Sequence, residues 1–141
     1  MRNIHALVTL GCAVALALLG CKDKEAKADV DGAAKQVERT FQKAPEAQDA
    51  LAAAKAATAA ATAAPTGADI NAQRAKFIEA LRPMYAAMSQ GRLTPEQTRA
   101  MQNLFNQLNK AIQQNPNLMN KDLYEAQNAM AQALYRAKGD L

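Results

Sequence analysis

The chain has 141 residues, 17 Lys and Arg against 13 Asp and Glu, and a formal net charge of +4 at neutral pH. So mild an excess is too weak to argue for nucleic-acid binding. With one histidine, His5, and two cysteines, Cys12 and Cys21, there is no material for a disulfide framework or a Cys/His zinc site.

Arg2 sits in a short positive start, and residues 6–19 then carry no charge. A positive start, an apolar core of roughly 14 residues and a small residue before a break is the layout of a secretory signal peptide, and is short for a permanent span. The segment Leu18-Leu19-Gly20-Cys21 resembles the lipobox of bacterial lipoproteins. That resemblance implies cleavage between Gly20 and Cys21, with residues 1–20 removed as signal peptide. Cys21 would then hold a diacylglycerol on its thiol and an acyl group, such as palmitate, on its new amino terminus. Two or three chains, each buried CH₂ contributing about 0.8 kcal/mol, hold where one would not. Lys22 follows the cysteine. In enteric bacteria an aspartate there resembles an inner-membrane retention signal, so in a Gram-negative cell lysine favours a periplasm-facing place on the outer membrane. Cys12 follows Gly11, but its apolar core would be far too short.

Beyond Cys21, large apolar content changes abruptly. Residues 22–64 contain four such side chains, Val30, Val37, Phe41 and Leu51, whereas residues 70–141 contain 21 Ile, Leu, Met, Phe and Tyr. Chain entropy must be offset by buried apolar area. Residues 21–65 therefore read as a lipid-anchored, charged and Ala-rich helical tether, and residues 66–141 as the folded domain. Within the tether, Val30, Ala34, Val37, Phe41 and Ala44 recur at helical spacing. Eleven of the 15 residues at 50–64 are alanine, the strongest helix former, and Pro45 is placed to open that second helix. A wholly helical tether would reach about 65 Å.

Three helices follow. Asp69 is an N-cap for the first, which puts Ile70, Phe77, Ile78, Leu81, Tyr85 and Met88 on one face. Pro83 should kink or split it, and Gly91 should end it. The second opens with Thr94 as cap, Pro95 in the first turn and Gln97 as capping-box partner, and runs on through Met101, Leu104, Phe105, Leu108 and Ile112 to the Asn115–Asn117 break. The third starts near Asn120, with Leu123, Tyr124, Met130 and Leu134 inward. The predicted fold is all-α: a small antiparallel bundle of about three core helices preceded by the tether, whose packing alongside the bundle the sequence leaves open.

Chemistry is sparse. Beyond Cys21 there is no histidine and only one serine, Ser89, which removes Cys–His and Ser–His catalysis. Asp122 and Glu125 share a helix face, but acids at a helix start serve caps and the dipole. Asp29, Asp31, Gly32 and Glu38 fall at positions of a calcium loop, yet Lys27 stands where its first acidic ligand belongs. Met84 and Met88 could present thioethers to copper, though methionine at helical spacing is core filler. The expectation is no catalytic residue, no metal and no cofactor, and a non-catalytic structural or interaction role. Its partners would be membrane lipid through Cys21 and an envelope protein or peptidoglycan, with no nucleic acid. One further stretch, Leu93-Thr94-Pro95-Glu96-Gln97, resembles the L-T-x-x-Q signature of Spy/CpxP-type periplasmic proteins. It implies an alternative role as a chaperone or stress-response binder of unfolded clients, although that family carries two copies and only one is present.

Overall fold

Four of the five described α-helices form where a capping residue meets a buried stripe. The computed structural model describes residues 26–42, 44, 47–63 and 69–139. Helix α1 (Val30–Phe41) starts at Asp29, whose Oδ1 accepts from the Gly32 N–H at 2.9 Å. A Cβ at position 32 would run into that carboxylate, so glycine makes the cap possible. Helix α2 (Gln48–Thr62) has no side-chain cap and rests on alanine propensity and on the burial of Ala50, Ala53, Ala54, Ala57 and Ala60. Helix α3 (Ile70–Ser89) is capped by Asp69, which accepts from the Asn71 N–H, and the chain leaves it through Gly91 at φ 65°, where a side chain would be strained. Helix α4 (Pro95–Gln113) buries Met101, Leu104, Phe105, Leu108 and Ile112. A 3₁₀ turn at Pro116–Leu118 leads into α5 (Lys121–Gly139), where Asn120 Oδ1 accepts from the Leu123 N–H.

Hydrogen bonds between helices fix the topology. The Asp29 N–H donates to Gln107 Oε1 and Asn103 Nδ2 donates to Gln36 Oε1, both at 2.8 Å, so α1 and α4 run antiparallel. Gln90 Nε2 donates to Asp49 Oδ2, which puts the end of α3 beside the start of α2. Arg74 donates from Nε to the Leu118 carbonyl at 2.7 Å and from Nη2 to that of Asn117, tying the start of α3 to the 3₁₀ turn. Successive helices therefore alternate direction. Helix α4 packs mainly on α1 rather than on α3, and this leaves α3 to meet α5, which runs the same way.

The all-α helical bundle predicted from the sequence is what the structure shows, with no strand among the described residues. The division near residue 65 is where the two differ. Helices α1 and α2 do not stand apart as a tether. Val30, Val37, Phe41 and the inward alanines belong to the same core as Phe77, Leu104 and Leu123. Alanine has little area to bury, but it lets backbones approach closely, and all five inward alanines of α2 are fully buried. Pro83 does not split α3 either. Its missing N–H leaves the carbonyl four residues back, at exposed Glu79, while Leu81, Met84 and Met88 hold the surrounding turns in the core. Tyr85 and Tyr124, expected inward, are exposed, as is Tyr135. Pro45 lies outside the described residues, and α2 begins at Gln48.

Candidate functional site

Gly20 and Cys21, the proposed cleavage and lipidation positions, lie outside the described residues. What the structure places is the chain that follows them. Ala26 shares a polar groove with Asn106, Asn109, Lys110, Gln113 and Gln114, at the end of the bundle where α1, α3 and α5 begin and α2 and α4 finish.

At the opposite end, the Leu93–Gln97 stretch forms its own closed unit. Gln97 N–H donates to Thr94 Oγ1 at 3.2 Å and the Thr94 N–H donates to Gln97 Oε1 at 2.9 Å, a reciprocal capping box. The residues of the Spy/CpxP-like signature thus satisfy one another's backbone. They also border a cleft of about 240 Å³. Phe41, Ala87 and Leu93 give it apolar walls, and Gln90, Arg92 and Gln97 a polar rim. A second groove, between α3 and α5, is wider, and brings Arg82 and Tyr85 to Asp122 and Glu125.

The other sequence candidates resolve into local structure. Asp29 caps α1, and Asp31 accepts from Lys35 Nζ at 2.7 Å, one turn on. That hydrogen bond, with the carboxylate's charge, raises the Lys35 pKa above its ordinary value. No cluster of acidic, His or Cys side chains among the described residues could hold a metal ion. Met84, Met88, Met101 and Met130 are buried in the core, and among the described methionines only Met119 is exposed. Ser89 is exposed at the end of α3. No described helix is long and apolar enough to cross a membrane. Sequence reasoning missed the cleft because Phe41 and Leu93 come together only when α1 joins the core, and no local pattern announces that. No protein-family model, curated protein or solved structure matches the chain.

Proposed function

We propose that this chain is a bacterial envelope lipoprotein, held by acyl chains on Cys21 after cleavage at Gly20, whose helical bundle has a non-catalytic interaction role. The observation that supports it is the polarity of the fold. The chain enters the bundle at Ala26, at one end, while the Leu93–Gln97 cleft opens at the other. Anchoring through Cys21 presents that far end to an envelope protein or to peptidoglycan. Lys22 favours the outer membrane, facing the periplasm. Crosslinking the lipidated protein in living cells, with mass spectrometry of what it holds, tests the role. One recurrent partner supports the reading, and none under any growth condition refutes it. Cys21→Ser should abolish incorporation of labelled fatty acid and leave an unprocessed precursor; persistent labelling would refute the anchor.

The chaperone-like alternative has one observation in its favour, the apolar wall of the cleft beside the Leu93–Gln97 stretch. Against it stands the size of that wall, since the large apolar side chains are mostly spent inside the core. A broad set of crosslinked envelope proteins, growing under heat or acid stress, would favour it.

A further inference from the structure

Five described residues expose large apolar surface: Leu51, Tyr85, Met119, Tyr124 and Tyr135. Two of these, Met119 and Tyr124, flank the start of α5, one just before its capping residue Asn120 and the other at its fourth residue. These are the positions at which a pair of apolar side chains meets across a helix start. Even so, Met119 is 45% and Tyr124 61% exposed. The same end of the bundle carries Ala26, beside Gln113 and Gln114. Five residues of fully extended chain span at most about 18 Å, so an anchor at Cys21 holds this end close to the bilayer.

We propose that the Met119–Tyr124 pair is a membrane-contact site, dipping into the headgroup layer and standing the bundle upright on the bilayer. This rests on the acylation of Cys21 proposed above. Tyrosine suits the place because its ring is apolar and its hydroxyl stays hydrated, as at membrane interfaces generally. Charge does not carry the contact. At this end Lys27, Arg74, Lys110 and Lys121 are balanced by Asp29, Asp69, Asp122 and Glu125, so binding should need no anionic lipid and should survive high salt.

The chain contains no tryptophan, so one introduced tryptophan is a unique reporter. The full lipidated protein would be produced as Tyr124→Trp, as Met119→Trp and as Tyr135→Trp, and reconstituted into vesicles of brominated or ordinary phosphatidylcholine. Position 135 lies about 16 Å further along α5 and is the control. Emission from positions 119 and 124 should fall and shift to shorter wavelength in brominated vesicles, while that from position 135 stays unchanged. Quenching at 135 as well would mean that the bundle lies on its side and would overturn the proposal. So would the absence of quenching at both 119 and 124 in a chain whose mass shows the acyl groups. A mass without acyl groups removes the anchor itself, which separates that failure from a wrong orientation.

Discussion

Replacing Ala57 by leucine decides whether α2 belongs to the core. Leucine and alanine have similar helix propensities, so the helix itself is barely affected. If the site had room, three extra carbons leaving water would stabilise by about 2 kcal/mol. The structure leaves no such room. Ala57 is fully buried, the α1–α2 groove beside it is lined by Thr58 and Ala59 rather than by Ala57, and α2 packs against both α1 and α3. Strain from overpacking therefore outweighs transfer, and Ala57→Leu should cost about 1–3 kcal/mol. For a bundle of this size that lowers Tm by roughly 4–12 °C. The assay is thermal circular dichroism on the chain lacking residues 1–21. Ala52→Leu, on the exposed face of the same helix, is the control and should stay within about 0.5 kcal/mol of the parent. Equal melting of the two variants would refute the placement of α2 in the core.

Thr94→Ala removes one arm of the capping box at the start of α4 and should destabilise the bundle by about 1 kcal/mol in urea unfolding; an unchanged midpoint would show that the box contributes nothing. Arg74→Met keeps much of the side chain's length but loses its bonds to the Asn117 and Leu118 carbonyls and to Asn71. Amide exchange across residues 115–120 should then speed up by about tenfold or more, a bond to a charged group being worth about 1.5–3 kcal/mol. Lys35 has its pKa raised by Asp31, so its favourable contribution is fully present below the ordinary ammonium range and is lost as pH rises through the raised value. Nitrogen-15 NMR titration should place Lys35 above the ordinary lysine value, and Asp31→Asn should lower it.

Helix α4 could be read almost residue by residue, because cap, proline, box partner and stripe are all local signals that agree. Asp69, Gly91 and Asn120 were legible for the same reason. The place of α1 and α2 was not. Counting large apolar side chains treats alanine as neutral, and a helix with five fully buried alanines scores as having nothing to bury. Its worth lies in how closely its neighbours can approach, which is a property of the partner helix and invisible along one segment. Tyr124 shows the converse limit. It sits one position from inward Leu123, and a rotation of about 100° separates core from solvent. Periodicity weighted by hydrophobicity could not decide between them for a side chain with one polar tip.

That reassignment changes what the proposed anchor can do. A free helical tether would have carried the domain some 65 Å from the membrane at about 1.5 Å per residue. With α1 and α2 folded into the bundle, only residues 22–25 separate Cys21 from the described chain. The furthest point the protein can present is then set by the bundle's own length, about 28 Å along the 19-residue α4, plus that short link. The Leu93–Gln97 cleft lies at this far limit. With Cys21 acylated as proposed, a partner meeting it would come within roughly 45 Å of the bilayer surface. Under that proposal, so short a reach favours a partner held near the membrane over clients captured at any distance.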